Sequence, residues 1–366
     1  MREYAKAGVD PNKIRVFERV MKGIAQRTRY FPESRKVMVD PRAHSAGFQY
    51  VGSKRHSWGT TKEGLGNKNW LAEWMYGFGD RKPHYWEIGI DTVLMAANDV
   101  ITSGALPVLI MDEVSAGDSD WFLDEARARD LGEGFYSVAK MIGAALGGGE
   151  SASLRYLVNP LPPVYSAPVM SASVVGIICP TQRMIFDDVR PGDVILGASS
   201  SGMHANGFTL AFNKVLTMPD EFMGKLPSGK IIGEELLTPT RSYIGLVEAL
   251  LDDSVHVSAL MPGTGDGVSK ICKLGRFTYR IHSWVAVKEI FFFMREKFGI
   301  PIKDCLTTFN WGIGYYIFVR AGGVYRATEA ARRAGFELIE IGDVREGDHQ
   351  VIFGPENDLI LEPPSE

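Results

Sequence analysis

The chain has 366 residues, of which 45% are hydrophobic and 23% are charged, and its formal net charge is −4. This composition is ordinary for a folded globular protein, and the length suggests two domains with separate cores. A nucleic-acid coat protein would usually be basic, so the acidic balance argues against nucleic acid as a partner.

The N-terminus and the cysteines indicate the compartment. The N-terminus is hydrophilic, which predicts no signal peptide, and no uncharged apolar run reaches about 18 residues, the length of a membrane span. Cys179, Cys272 and Cys305 lie far apart and form no CxxC motif. This spacing predicts reduced thiols, with neither a disulfide framework nor a zinc site. We therefore expect a cytoplasmic protein that has no membrane partner.

Apolar spacing and turn residues predict interleaved helices and strands in an N-terminal domain of residues 1–180. In chain order, the predicted elements are a helix over 13–30, a turn-rich loop over 32–57, a strand over 106–117, a helix over 124–146 and a strand over 167–180. The glycines that follow residue 146 are expected to stop the second helix.

A second domain, residues 181–366, is predicted to begin near Pro180. Its predicted elements are a strand within 189–202, helices over 207–216 and 239–252, strands over 278–287 and 315–321, a helix over 324–335 and a strand over 336–344. The acidic, proline-containing end is expected to fray. This order of elements fits an α+β or α/β protein and excludes a helix bundle or an all-β sandwich.

The apolar run IGIDTVLMAANDV, residues 88–100, contains the polar residues Asp91, Asn98 and Asp99. The preceding segment, 85–90, is strand-like, so Asp91 is expected at the N-cap of a helix. Residues seven and eight apart return to nearly the same helical face, so the three polar side chains should face one side. A capping role explains Asp91 alone, whereas a carboxylate inside an apolar stretch needs a partner or a metal such as Mg²⁺.

Four glycine-rich loops suggest a ligand that carries phosphates. They are KEGLGNK (62–68), GGGE (147–150), SSSGMHANGF (199–208) and MPGTGDGVSK (261–270). Small residues let backbone amides approach an anion, and a lysine can neutralise it. A solvated turn or a helix cap explains each loop taken singly, and Glu150 is either a further acidic ligand or a surface residue. His204 and Asn206 are placed to hydrogen-bond a substrate.

Taken in order, these motifs resemble the phosphoribosylformylglycinamidine cyclo-ligase (aminoimidazole ribonucleotide synthetase) family. The resemblance covers nearly the whole chain and rests on GLGNK, IGIDTVLMAANDVITSGALP, SSGMHANGFTL and TFNWGIG. It implies a two-domain α+β fold in which the N-terminal sheets of two subunits pair into a barrel across a homodimer. It also implies ATP, Mg²⁺ and a small phosphorylated substrate, namely formylglycinamidine ribonucleotide of purine biosynthesis. ATP would phosphorylate its amide oxygen before an internal nitrogen closes the imidazole ring.

The resemblance further implies the site residues. The implied catalytic residues are Lys68, which would meet the nucleotide phosphates, and His204 and Asn206 beside the substrate. The implied nucleotide contacts are Gly64, Gly66, Lys68, Asn98, Gly148 and Gly149. The implied metal ligands are Glu63, Asp91, Asp99 and Glu150. Replacing Asp91 by asparagine is expected to weaken Mg·ATP binding and to leave the fold intact.

Four loops depart from the family pattern. TDGVGTK becomes KEGLGNK, so that Glu63 replaces an aspartate, and GGETAEMPG becomes GGESASLRYLVNPLPP. GGFGA becomes AHSAGFQ (43–49), and HLTGGG becomes LMPGTGDG. These departures leave two alternatives open. Besides the cyclo-ligase itself, the chain could be a superfamily paralogue that phosphorylates another small substrate or a catalytically weak homodimer that binds nucleotide.

Overall fold

The computed structural model describes residues 3–40 and 46–365, so the first three residues of the divergent segment 43–49 lie outside it. The described residues form two compact units. The first contains the residues up to Val100, Ala105–Pro180 and Pro219–Gly224, and the second contains Ile101–Gly104, Thr181–Met218 and the residues from Lys225 onwards. Among the described residues, no helix is both long and apolar enough to cross a membrane.

The first unit combines five α-helices and six strands among its described residues. The helices are α1 (Glu3–Lys6), α2 (Pro11–Thr28), α3 (Lys68–Gly77), α4 (Tyr85–Val100) and α5 (Glu125–Ile142). The strands are β1 (Val37–Asp40), β2 (Gly47–Tyr50), β3 (Ser57–Gly64), β4 (Leu106–Ala116), β5 (Ala145–Ser153) and β6 (Val169–Ile178).

The start of α2 and both ends of α5 follow local capping chemistry. The Asp10 side chain accepts a hydrogen bond from the backbone N–H of Asn12 at 3.0 Å, and Pro11 opens α2. The Asp124 side chain caps α5 in the same way, through the N–H of Arg127 at 3.0 Å. Gly143 ends α5 with a left-handed φ of 68°, which a residue without a Cβ adopts at little cost.

A four-stranded sheet in the order β3-β6-β4-β5 organises the first unit. Strand β6 runs antiparallel to both β3 and β4, whereas β4 and β5 are parallel. Helix α4 packs on β3 and β6, and α5 packs on α4. Near one end of the other face, the β1–β2 pair closes a small core formed by Val37, Val108, Leu109, Ala145 and Ile177.

The second unit is built on a seven-stranded sheet in the order β13-β12-β9-β11-β7-β10-β8. Its strands are β7 (Asp193–Ser199), β8 (Val257–Pro262), β9 (Thr278–Ile281), β10 (Ile313–Arg320), β11 (Leu338–Arg345), β12 (Gln350–Phe353) and β13 (Leu359–Leu361). Its helices are α6 (Phe208–Val215), α7 (Ile232–Leu237), α8 (Ile244–Asp252), α9 (Glu289–Phe298), α10 (Ile302–Thr308) and α11 (Val324–Arg333). All pairings are antiparallel except β9 with β12.

The predicted α+β class is confirmed, but several local predictions are wrong. Residues 85–90 are not a strand, because α4 already begins at Tyr85, where the Asp130 carboxylate of α5 accepts the N–H groups of Tyr85 and Trp86 at 2.6 and 2.9 Å. Asp91 is therefore inside the helix and not at its N-cap.

Three further segments differ from their predictions. The GGGE segment does not end a helix, because Gly143 has already ended α5 and all three glycines lie in β5, where Gly148 and Gly149 pair with β4. The helix predicted over 239–252 begins only at Ile244. The C-terminal end does not fray throughout, because β13 pairs with β12 and adds a strand to the sheet.

Candidate active site

A buried ion pair connects the start of α3 to the middle of α4. The Lys68 Nζ lies 2.6 Å from Asp91 Oδ2, and both side chains are completely shielded from solvent. Burial lowers the pKa of the Lys68 ammonium, and the Asp91 carboxylate opposes that shift. Lys68 is the first residue of α3 and directly follows the glycine turn that ends β3. The structure thus brings together two residues that the sequence assigned to the same phosphate site.

Asn98 and Asp99 lie on the same helix as Asp91, two turns further along. Asn98 is buried and Asp99 is half-buried. Their spacing from Asp91 returns them to nearly the same face of α4. The predicted polar face of this helix is therefore present, although its start is not where the sequence placed it.

A row of residues across the sheet places two carboxylates on the face that α4 covers. Glu63 on β3 pairs with Ala172 on β6, and Ala172 pairs with Asp112 on β4. Residues in register point to the same side of a sheet, and one intervening strand separates the two acids by about 10 Å at the backbone. Gly149 on β5 completes the row.

Asp112 is a candidate site residue that the sequence did not indicate as one. Its carboxyl is buried, and burial raises its pKa to about 7, because among the described residues only its own backbone N–H counters the desolvation. A Cβ on Gly149 would lie 2.3 Å from Asp112 Oδ1, so the glycine makes room for this carboxylate. The signal in the sequence was an acid inside the apolar strand LPVLIMDEVSAG.

The other face of the sheet carries a different set of charges. Glu113 accepts hydrogen bonds from Lys62 Nζ at 3.1 Å and Ser171 Oγ at 3.0 Å. Glu150 pairs in register with Glu113, so it points away from Glu63 and Asp112, and it is exposed. Among the described residues, no group of three or more acidic, histidine or cysteine side chains is close enough to hold a metal ion.

The implied glycine contacts lie at the same end of the sheet. Gly64 ends β3, Gly66 adopts a left-handed φ of 77° in the turn before Lys68, and Gly148 and Gly149 lie in β5. These backbone segments border the strand ends that carry Glu63 and Asp112. The structure therefore places small residues beside Glu63 and Asp112, and their contact with a nucleotide stays a prediction.

In the second unit, the loop between β7 and α6 is held by a buried asparagine. Asn310 donates through Nδ2 to the carbonyl of Gly202 at 2.8 Å and accepts from Ser200 Oγ at 3.0 Å. His204, in this loop, is buried and has a left-handed φ of 59°. Its Nε2 accepts the N–H of Ser201 at 3.3 Å, which fixes the orientation of the ring.

Asn206 is the residue of this loop that is left with an unused donor. Its Nδ2 is buried, and among the described residues it has no hydrogen-bond acceptor. Its Oδ1 lies against Gly265 of the neighbouring glycine loop, at 3.8 Å from where a Cβ would be. A buried donor without an acceptor costs about 1–3 kcal/mol, so this amide is suited to a ligand oxygen.

The two units that carry these polar residues match the two domains of a known protein family. A model described as the N-terminal domain of AIR synthase related proteins matches residues 66–178, and its C-terminal counterpart matches residues 190–354. The chain is 30% identical over 348 residues to the phosphoribosylformylglycinamidine cyclo-ligase of Thermococcus kodakarensis, covering 94% of this chain and 96% of the relative. The chain therefore belongs to the phosphoribosylformylglycinamidine cyclo-ligase family, which confirms the predicted resemblance and the prediction of a ligase.

Solved structures agree on the fold. A hydrogenase maturation protein HypE in complex with ATP aligns with a TM-score of 0.61 at 16% identity, covering 89% of each chain. Thiamine-monophosphate kinase from Stenotrophomonas maltophilia aligns with a TM-score of 0.60 at 16% identity, covering 88% of this chain and 93% of the kinase. At this level of identity, the similarity shows a shared fold and no more.

The buried ion pair makes a prediction about stability that differs from the one drawn from sequence. We expect Asp91→Asn to lower the free energy of unfolding by about 3 kcal/mol, because it leaves the Lys68 charge buried and unpaired. The double variant Lys68→Met, Asp91→Leu should recover most of that loss. Urea unfolding measures both. Glu18→Gln, which breaks the exposed Lys22–Glu18 pair, is the control and should cost less than about 0.5 kcal/mol. An Asp91→Asn protein as stable as the wild type would contradict the expectation.

Asp112 gives a prediction about pH. Its folded-state pKa of about 7 lies above its ordinary value of 3.8, so the native state binds more protons than the unfolded state between these values. Stability is then lost as the pH rises from about 4 to about 7. Asp112→Asn should therefore be close to the wild type in stability at pH 4 and more stable by about 4 kcal/mol at pH 8, because each unit of pKa shift corresponds to about 1.4 kcal/mol. Thermal unfolding across this range measures the effect, and Glu113→Gln on the other face should show the opposite sign, because the hydrogen bond from Lys62 lowers the pKa of Glu113. Equal gains at both pH values would refute it.

Proposed function

We propose that this chain catalyses the ATP- and Mg²⁺-dependent closure of formylglycinamidine ribonucleotide to aminoimidazole ribonucleotide. The observation that carries the proposal is the similarity to a named cyclo-ligase over 96% of that relative. The bound ATP named for the HypE structure of the same fold supports ATP as the phosphoryl donor. The polar residues of both units supply groups suited to phosphates and to a polar substrate.

Lys68 and Asp91 are the groups we assign to the nucleotide phosphates. Lys68 would neutralise phosphate charge at the start of α3, where the backbone N–H groups of the first turn also face an anion. Asp91 holds the ammonium in position at 2.6 Å, and the shielding of both groups strengthens their electrostatic effect. Phosphoryl transfer depends mostly on such positioning and charge neutralisation.

The donor set on the covered face of the sheet fits Mg²⁺. Asp112 is a buried carboxylate with no cation partner among the described residues, and Glu63 shares its row. Hard oxygen ligands of this kind suit Mg²⁺, which would neutralise charge on the transferred phosphoryl group. We propose Asp112 and Glu63 as its holders, with Asp91 and Asp99 on α4 as further candidates. Glu150 points to the other face, so any role for it would lie there.

The reaction balances without a redox partner. The amide oxygen of the substrate attacks the γ-phosphorus of ATP, the bond to ADP breaks, and the amide nitrogen loses its proton. An internal nitrogen then attacks the activated carbon, the carbon–oxygen bond breaks, and inorganic phosphate leaves with that bonding pair. The attacking nitrogen loses its proton, and the transfer of one proton from the ring CH2 carbon to the exocyclic imine nitrogen gives the aromatic aminoimidazole. His204 and Asn206 would orient the substrate for these steps.

Asn206 provides the sharpest test of the substrate site. We expect Asn206→Ala to lower kcat/KM for formylglycinamidine ribonucleotide by about 10- to 100-fold, because the buried Nδ2 loses its ligand acceptor. Turnover is followed as phosphate release and as aminoimidazole ribonucleotide formed. Asn213→Ala, at an exposed position on α6, is the matched control and should retain wild-type turnover. An unchanged kcat/KM for Asn206→Ala would remove it from the site.

The same assay tests the alternatives. A superfamily paralogue or a weak nucleotide-binding protein is favoured by the replaced loop between β5 and β6, which exposes Tyr156, Leu157, Leu161 and Tyr165. ATP binding without phosphate release from this substrate would favour these alternatives over the cyclo-ligase. Phosphate release and product that both depend on the substrate would favour the cyclo-ligase.

We also propose a homodimer in which the open face of the four-stranded sheet pairs with its copy into a barrel. Met111 on this face is 40% exposed and Val169 is 56% exposed, beside the Lys62–Glu113 ion pair. Exposed apolar side chains on a sheet face are typical of an interface.

The homodimer proposal predicts the effect of a charge on this face. Met111→Asp should convert the dimer to a monomer, because it buries an unpaired carboxylate at the interface. Light scattering at micromolar concentration measures the mass. Tyr325→Asp, at an exposed position on α11, is the control and should leave the mass unchanged. A wild-type monomer would refute the proposal.

A further inference from the structure

The turn before α4 holds a histidine between two carboxylates. The His84 Nε2 lies 2.9 and 3.1 Å from the two carboxylate oxygens of Asp80, and its Nδ1 lies 3.7 Å from Glu87 Oε1. The side chain is only 10% exposed, and the backbone of His84 has a left-handed φ of 54°. A non-glycine residue keeps such a conformation only where its surroundings hold it.

Glu87 connects this histidine to the nucleotide end of the first unit. Glu87 and Asp91 are four residues apart on α4, so they lie on one face, and Asp91 holds Lys68 at 2.6 Å. The negative charge of Glu87 also acts on Lys68 and favours its protonated form. Lys68 is thus stabilised in its charged form by two carboxylates of α4, Asp91 and Glu87, and Glu87 also lies beside His84.

We propose that His84 is a positioning residue for nucleotide binding, because its protonation sets how strongly Glu87 competes with a phosphate for Lys68. This inference rests on the proposed nucleotide site at Lys68. Protonated His84 neutralises Glu87 and leaves Lys68 more attractive to an anion. Neutral His84 leaves the Glu87 charge uncompensated.

The charges around His84 favour its protonated form. Burial opposes the charge, but the hydrogen bonds to Asp80 and the negative charges of Asp80 and Glu87 outweigh it and raise the pKa of the imidazole above its ordinary value of 6.5. The other charged groups near this turn are Lys82, whose Nζ lies 3.5 Å from Asp80, and Asp130 of α5, which accepts the N–H of Tyr85. The switch therefore operates at a higher pH than the titration of an unperturbed histidine, and the change of one proton alters the local charge.

The test compares the pH dependence of binding in matched variants. Affinity for Mg²⁺ with a non-hydrolysable ATP analogue is measured by calorimetry from pH 6 to pH 9. We use His84→Asn, because asparagine tolerates the left-handed backbone and does not titrate. Titration of the nucleotide phosphate affects both measurements equally, so it cancels in the ratio of the two affinities.

We expect the wild type to lose about fivefold more affinity than His84→Asn as the pH rises through the titration of His84. In the Glu87→Gln background most of this difference should disappear. The double variant Glu87→Gln, His84→Asn and the single variant Glu87→Gln should therefore have similar pH profiles. The difference between the wild type and His84→Asn should persist in a series of buffers that are matched in their temperature dependence, because it arises from charge and not from folding.

The outcomes separate the two proposals. Equal pH profiles for the wild type and His84→Asn, with nucleotide bound by both, would overturn the role of His84 and leave the nucleotide site standing. A difference that persists in the Glu87→Gln background would overturn the route through Glu87. Absence of nucleotide binding in the wild type at every pH would overturn the site at Lys68, and this inference with it.

Discussion

The buried contact between Lys68 and Asp91 is the constraint on which the first unit depends. Two opposite charges taken wholly out of water are tolerable only when they meet directly, as they do at 2.6 Å. This requirement fixes the start of α3 against the middle of α4 and hence against the sheet that α4 covers. The same contact holds an ammonium group at the end of a glycine turn, where a nucleotide phosphate would need it.

The sequence predicted the parts of the structure that local chemistry determines. The helix over Pro11–Thr28, the strand over Leu106–Ala116 and the β-rich strand that ends near Pro180 follow from periodicity and caps. The acidic residues of α4 and the loop with His204 are predicted as ligand-binding residues, because polar side chains in apolar surroundings need a partner. The resemblance of these motifs to the cyclo-ligase family then indicated ATP-dependent phosphoryl transfer, which composition alone did not.

What the sequence could not reveal depends on contacts between distant residues. Helix α4 starts at Tyr85 because Asp130, 45 residues away, accepts its N–H, and no local pattern records that capping. Asp112 was missed because its place in the site comes from register with Glu63 through a third strand. The three glycines before Glu150 look like a helix stop, yet they serve β5, where Gly149 leaves space for a carboxylate.

Each unit keeps a polar group whose burial is unfavourable in the protein alone. In the first, Asp112 is desolvated without a cation among the described residues, and in the second, the Asn206 amide has no acceptor there. Selection for stability alone would favour a neutral or apolar residue at either position, since both groups destabilise the folded chain. A cation at the first and a ligand oxygen at the second would remove these costs. The two groups therefore support ligand binding in both units, independently of the loops that depart from the family pattern.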